Sequence, residues 1–475
     1  MKILLINPCL RRDNPRKFFP LGLAYIATVI DNAGYDLTIY DLDANRRTDD
    51  EFRAYLSRNR FDVVGLGTLV THYKWIKWAI SVIRETNPRA RIIVGNSVAT
   101  SIPEIILGKT EADVAVMGEG EDTILELLDR IKNADSLEAL QGICYRENGD
   151  IVSNQRRSSI KNLDTLPDVN RDLFDIAAYL EASQHNINEP FPRPLDQVRV
   201  LNISTARGCV FSCTFCYTNF LGTRYRWRSP GSIVREIKEL QNKYGINYLQ
   251  FWNDLTFCNK RQVEGFCDKM LEEGMYIDWI ATVLPTLFQK PGPRNDIIAR
   301  KMKDTGCVYV GFSLESADEG ILKAMNKPMT LEGFSNTRRT LLNAKVGALT
   351  SLVIGYPQET EETIRKTIDF CIKERMNPSV GYIQPMPCTP IYDYAISKGI
   401  IKDEEEYLLQ MGDRQDFHVN LTSIPDEKLR QLVEDEVRRC QKAVLGEGAV
   451  FEDPLKTFRK RSRDEVVSRD DGNKK

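Results

Sequence analysis

"RVLNISTARGCVFSCTFCYTNF", residues 199–220, decides how this chain is read. It begins as a short apolar run, RVLNIS, and passes through Gly208 into a loop that carries Cys209, Cys213 and Cys216. A buried strand that delivers reactive side chains just past its end is how barrel-like α/β enzymes present their chemistry. Thiolates with no histidine nearby suit iron–sulfur or zinc. Both usually take four protein ligands, yet no cysteine or histidine follows until Cys258. A cubane cluster on three thiolates leaves one iron open for a small chelating ligand.

Downstream the pattern repeats. Strand-like runs NYLQFW (247–252), YIDWIATV (276–283), VYVGFSL (308–314), ALTSLVIG (348–355) and VGYIQPM (380–386) alternate with helical stretches at 231–243, 261–273, 295–304, 331–345 and 360–374. Six strands separated by five helices predict a parallel sheet curling into a partial (β/α)6 barrel over 197–400, short of the eight units of the closed form. From residue 401 the chain turns charged and helical, with one amphipathic helix at 425–445, and the tail 451–475 reads as disordered.

Upstream, KILLIN (2–7), LTIY (37–40), DVVGLG (62–67), RIIVG (91–95) and DVAVMG (113–118) read as buried strands, with helical patterns such as PLGLAYIATVIDNAG (20–34) between them. Continuous apolar strands alternating with helices predict a doubly wound, flavodoxin-like parallel sheet over 1–154. The segment GICYRENGDIVSN (142–154) closes it as a hairpin turning at Asn148-Gly149. Residues 155–196, rich in proline and acid, read as a linker.

The bulk numbers fit this division. A chain of 475 residues that is 42% hydrophobic and 28% charged has material for several cores. Its net charge of −2 argues against a dedicated nucleic-acid binder, and no apolar run suggests a membrane span. The N-terminus goes directly into a strand without signal-peptide features, and eleven cysteines then argue for reduced thiols in the cytoplasm. The eight cysteines outside the loop read as small buried hydrophobes.

The spacing C-x-x-x-C-x-aromatic-C, formed by Cys209, Cys213, Phe215 and Cys216, resembles the signature of the radical S-adenosylmethionine (SAM) superfamily. The resemblance implies a [4Fe-4S] cluster on the three cysteines, SAM chelating the open iron, and a 5′-deoxyadenosyl radical. Further segments carry it along the barrel. FWNDLTFCNKR (251–261) is similar to a second-strand motif with an acidic pair, here Asn253-Asp254, and implies a SAM contact from Asp254 as from Phe215; GFSLES (311–316) implies SAM contacts from Glu315 and Ser316. LVIGYPQETEET (352–363) implies Gly355 beside the adenine, and QPMPCTPIYDYA (384–395) has Cys388 where relatives have glycine.

A doubly wound domain ahead of such a barrel resembles the cobalamin-binding class of that superfamily, its class B methyltransferases. The resemblance rests on residues 20–41, 62–71, 92–104 and 118–128. It implies cobalamin contacts from Gly65, Gly67, Thr68, Gly95, Asn96, Ser97, Gly118, Glu119, Gly120 and Glu121, all beyond the carboxyl ends of strands. The D-x-H-x-x-G motif of other cobalamin enzymes is absent, so no histidine of that motif lies below the cobalt; His72 follows the third strand. The implied reaction is methylation of an unactivated carbon in a small-molecule or lipid-like substrate, fed by an external electron donor of flavodoxin or ferredoxin type. A cyclising or ring-modifying radical enzyme and a cobalamin or redox sensor are the alternatives. A methylthiotransferase acting on RNA needs a second cysteine set, and the first domain offers only Cys9 and Cys144. The aromatic residues Phe211, Phe215, Tyr217, Phe220, Tyr225 and Trp227 could wall the reaction cavity, although plain packing is the commoner role of such a stretch.

Overall fold

The computed structural model describes residues 1–218, 224–446, 448 and 453–455. The N-terminal sheet contains β1 (Lys2–Asn7), β2 (Asp36–Asp41), β3 (Val63–Gly67), β4 (Arg91–Gly95), β5 (Val114–Val116), β6 (Ile143–Glu147) and β7 (Asp150–Ser153), in the order β2-β1-β3-β4-β5-β6-β7. The first five strands pair in parallel and β6 and β7 add antiparallel. The expected hairpin turns where Asn148 (φ 51°) and Gly149 (φ 94°) both take left-handed backbone, as a type I′ turn requires. The helices are α1 (Leu21–Asn32), α2 (Asp49–Arg58), α3 (Tyr73–Thr86), α4 (Asn96–Ser101), α5 (Pro103–Lys109) and α6 (Glu121–Asn133). They cover both faces, which is why β1, β3 and β4 are apolar along nearly their whole length.

The second unit is built on β8 (Val200–Ile203), which feeds a short ribbon of β9 (Ala206–Arg207) and β10 (Arg226–Trp227). It continues through β11 (Tyr248–Phe251), β12 (Asp278–Thr282), β13 (Cys307–Gly311) and β14 (Gly347–Leu349), all parallel in the order β14-β13-β12-β11-β8. The single fifth strand expected at 348–355 is divided. After β14 the chain starts again as β15 (Ser351–Ile354), which pairs only with β16 (Ser379–Tyr382) in a separate two-stranded sheet. The reason is local. The Thr350 hydroxyl takes the Leu314 N–H at 3.0 Å, substituting for a backbone acceptor, and Glu315 turns into left-handed backbone at φ 63°. A lone bridge between Glu315 and Leu352 joins the two sheets. The barrel is therefore partial, as expected, and also discontinuous.

Residues 155–196 form more than a plain tether. Tyr179 is buried and donates its hydroxyl to Asp41 Oδ2 at 2.6 Å, fixing this segment to the end of β2. Arg171 is buried too and pairs with Glu236, which also holds Arg228. At the other end of the chain, helix Asp426–Leu445 buries Leu429, Leu432, Val433 and Val437 against the barrel core. The expected disordered tail lies outside the described residues except for 453–455.

Candidate functional site

The three cysteines lie immediately beyond β8 and β9, where Gly208 adopts φ 80° to let the chain leave the sheet. Cys213 is buried, while Cys209 and Cys216 are partly exposed. Burial pushes all three thiols up, Cys213 to about 12, and the charges of the thiols on one another add to the effect. The sulfurs thus face a common space in which bare thiolates are costly. A bound cationic cluster reverses that cost, because coordination deprotonates a thiol outright. Among the described residues no three His, Cys, Asp or Glu side chains converge on a point that would hold a single metal ion. A donor set of three mutually interacting thiols fits a larger cluster.

Around this loop the fold brings most of the expected SAM-side residues together. Phe215 packs edge-on against Tyr356, with ring centroids 6.4 Å apart. Glu315, on its left-handed turn, accepts from Lys327 Nζ at 2.8 Å, and both residues raise or lower the Cys213 thiol by their charge. Gly355 takes φ 107°, and a Cβ there would come within 2.9 Å of the Ile383 side chain, so only glycine fits. Ser316 differs. It is fully buried, and its hydroxyl contacts Thr367 Oγ1 and accepts from the Asp318 N–H.

On the other domain, Gly67, Gly95 and Gly118, expected to meet cobalamin, lie at or just past the ends of β3, β4 and β5, whereas Gly65 is buried in the middle of β3 between Leu5 and Ile93 and packs inside the sheet instead. A Cβ on Gly67 would fall 2.8 Å from the Gly95 carbonyl oxygen, whereas one on Gly95 or Gly118 would enter open space. The end of the sheet is thus kept flat, as a bulky planar ligand needs. Thr68 is buried with its hydroxyl unpartnered, and Asn96 turns at φ 65° to cap the Ser97 N–H at 2.6 Å. Open glycines and an orphaned hydroxyl at strand ends fit the tail and amide arms of a corrin. His72 closes a short turn after β3, its ring 3.0 Å from the Thr71 hydroxyl; burial, with Arg11 nearby, brings its pKa down to about 4 and keeps it neutral.

Glu119 and Glu121 do something the sequence did not announce. The Arg226 guanidinium holds both Glu119 oxygens at 2.8 and 2.9 Å, and Arg207 binds Glu119 at 3.1 Å and Glu121. Both arginines come from the β9–β10 ribbon beside the cluster loop, so these pairs clamp the two domains together. The Asn202 amide, 2.9 Å from the Phe19 carbonyl oxygen, is a second tie.

Between the domains lies a cavity of about 560 Å³. Its walls include Gly118, Glu119, Arg207 and Gly208 at the junction, and Gln250, Trp252, Asp254, Ile280, Thr282 and Tyr309 from the mouths of β11, β12 and β13. None of the described aromatic residues after the cysteines lines it. Trp227 packs on Phe257, Tyr225 donates to the Thr256 carbonyl at 2.6 Å, and Phe220 lies outside the described residues. The aromatic groups facing the cavity are Phe251, Trp252 and Tyr309, with Trp252 tilted against Phe18 at 4.6 Å between ring centroids. Asn253, in place of an acid, accepts the Thr205 and Ala206 N–H groups at 3.0 and 3.1 Å and so pins the start of the cluster loop.

Comparison with known proteins agrees with this geometry. Residues 203–371 match the family profile of the Radical SAM superfamily, and residues 14–128 match that of the B12 binding domain. The chain is 29% identical over 409 residues to the uncharacterized methyltransferase PH0819 of Pyrococcus horikoshii, covering 84% of each protein. It is 25% identical over 483 residues to cytidylyl-2-hydroxyethylphosphonate methyltransferase of Streptomyces wedmorensis, covering 91% of this chain and 88% of that one. In fold it is similar to the radical SAM methyltransferase TsrM of Kitasatospora setae, solved with cobalamin and a [4Fe-4S] cluster, with a TM-score of 0.65 and 17% identity over 84% of this chain and 79% of that one. Residues 203–371 thus form a radical SAM superfamily domain and residues 14–128 a B12 binding domain. With its B12 binding domain ahead of the barrel, the chain is a member of the cobalamin-binding branch, and its cofactors are a [4Fe-4S] cluster, SAM and cobalamin. Among the described residues no helix is long and apolar enough to cross a membrane.

Proposed function

We propose that this protein is a cobalamin-dependent radical SAM methyltransferase that methylates an unactivated carbon of a small organic substrate. The observation that carries the reading is one cavity bounded by Gly208 of the cysteine loop, Gly118 of the first domain and the strand mouths of the barrel. Three reactive partners have to meet in one space shielded from water, and the domain junction provides it. When bound, the cluster and SAM supply a carbon-centred radical and cobalamin supplies the methyl group.

The chain's own residues hold and orient. Cys209, Cys213 and Cys216 ligate the cluster. Phe215, Glu315 and Gly355 line the SAM side, with Ser316 bracing the turn that presents Glu315 and Asp254 facing SAM or substrate from the β11 side. Gly67, Thr68, Gly95, Asn96, Ser97, Gly118 and Gly120 form the cobalamin platform. Glu119 and Glu121 keep that platform docked through Arg207 and Arg226. Eleven free cysteines suit a reducing cytoplasm, where a flavodoxin or ferredoxin-type protein delivers the electron.

Anaerobically reconstituted protein, given methyl-deuterated SAM and a reductant with candidate metabolites, tests the reading. Formation of 5′-deoxyadenosine together with a product heavier by one labelled methyl supports it. Product formation without added methyl mass points to a cyclising or oxidising enzyme instead. Cys213→Ser must abolish both products.

A further inference from the structure

The cavity is divided in a way that bears on the substrate. Its described walls come from β11, β12 and β13 and the ends beyond them, from the stretch Ser204 to Gly208 with Arg226, and from Gly118 and Glu119 of the first domain, whereas Glu315, Ser316 and Gly355 are not among them. The space thus lies on the β11 to β13 side of the site and is not lined by the Glu315 and Gly355 turns. Its charges can be summed. Arg207 and Arg226 face it with two positive charges, and Glu119 and Glu121 neutralise both. Asp254 remains, with no hydrogen bond or ion pair to any described residue. The undescribed residues of the neighbouring loop, 219–223, contain no charged side chain.

A second acceptor lies below. Gln250 is 4% exposed on the cavity floor, its Nε2 donates to the Asn186 carbonyl at 2.6 Å, and its Oε1 has no donor. Apolar and aromatic surface from Phe251, Trp252, Ile280 and Ala281 surrounds these acceptors. Burial alone raises the Asp254 carboxyl above its usual range, the direction expected where no cation is near.

Resting on the methyltransferase reading, we propose that the substrate has an apolar body bearing a protonated amine, and that Asp254 binds that amine from the cavity wall. Carboxylate and phosphate substrates are disfavoured, because both cationic side chains among the described residues that line the space are already bound by glutamates. A charge-assisted hydrogen bond in such a shielded space favours an amine over a matched acid by at least about tenfold.

The test uses the reconstituted holoprotein with SAM and two matched probe pairs: tryptamine with indole-3-propionate, and phenethylamine with 3-phenylpropionate. Calorimetry at neutral pH is expected to show each amine bound about tenfold or more tightly than its acid. Asp254→Asn should bring each pair to within about threefold, with SAM still bound, and Asp254→Ser should do the same. Equal or acid-favouring binding, or no binding of either amine, overturns the proposal. So does loss of SAM binding in both variants with the amine preference kept, which would put the carboxylate against SAM. Absence of 5′-deoxyadenosine under reductant would overturn the enzymatic reading alone, since the binding preference is measured without turnover.

Discussion

Lys327 Nζ lies 2.8 Å from Glu315 Oε1, both side chains are under 10% exposed, and the pair sits beside the Cys213 thiol, where the lysine charge lowers its pKa and the glutamate charge raises it. A buried pair costs little when both partners go and much when one goes, because the survivor is an uncompensated charge. Glu315→Gln and Lys327→Met should each destabilise the protein by about 3 kcal/mol. The double variant should recover most of that loss without recovering SAM affinity. Chemical denaturation with parallel SAM-binding measurements completes the cycle. Recovery of SAM affinity in the double variant would remove Glu315 from the SAM site.

The junction clamp predicts a different signature. Arg207→Met leaves Glu119 with Arg226 but deprives Glu121, which is 5% exposed, of its ion-pair partner. The loss should be about 2 to 4 kcal/mol, and it should loosen the docking of the two domains. Cobalamin retention through gel filtration is expected to fall, while cluster absorbance stays. Equal losses of both cofactors would indicate general misfolding instead.

Glu359 offers a pH dependence with a definite sign. Its carboxylate accepts the Tyr356 N–H at 3.2 Å and that of Gly355, but burial dominates and raises its pKa from 4.5 to about 7. Between those values the folded state binds more protons than the unfolded chain, so stability is full below pH 4.5 and falls as pH rises through 7. The contribution lost is up to about 3 kcal/mol. Glu359→Gln should flatten the stability profile across this window, as thermal melts at stepped pH would reveal. An unchanged slope rejects the assignment.

Cys388 occupies left-handed backbone at φ 68°, the reason glycine is favoured at this turn. Its thiol donates to the Ser101 carbonyl oxygen at 3.2 Å, a weak return. Cys388→Gly should therefore be neutral or stabilising by up to about 1 kcal/mol, measured by denaturant midpoint. A clear destabilisation would mean that the thiol contact with the first domain outweighs the strain.

What was legible in the sequence was local. The cysteine spacing, the runs that become β1 to β6 and the Asn148-Gly149 turn each need only a few neighbouring residues to be recognised, and strand ends place Gly67, Gly95 and Gly118 on one edge automatically, while Gly65, two residues earlier, falls inside β3. The clamp was not legible, because Glu119 and Arg226 are 107 residues apart and a charge pattern does not say which partner it will meet. The split of the fifth strand depends on one hydroxyl, that of Thr350, displacing a backbone acceptor on another strand. The aromatic run after the cysteines was ambiguous, because composition does not distinguish a ring that packs on Phe257 from one that faces a cavity. Asn253 holds the start of the cysteine loop by accepting at Oδ1 and by donating from Nδ2 to the Thr205 hydroxyl, and only the first half of that role could be filled by an ionised acid.

The interruption at Thr350 has an evolutionary corollary. Because β15 and β16 form their own hydrogen-bonded pair, bridged to the five-stranded sheet at Glu315 and Leu352, the Glu315 turn sits at a seam between two sheets while the cysteine loop is carried by one of them. Ile280 and Ala281 of β12 line the cavity without carrying either, so at such positions one ancestral frame can be retuned for many clients by changing a handful of side chains.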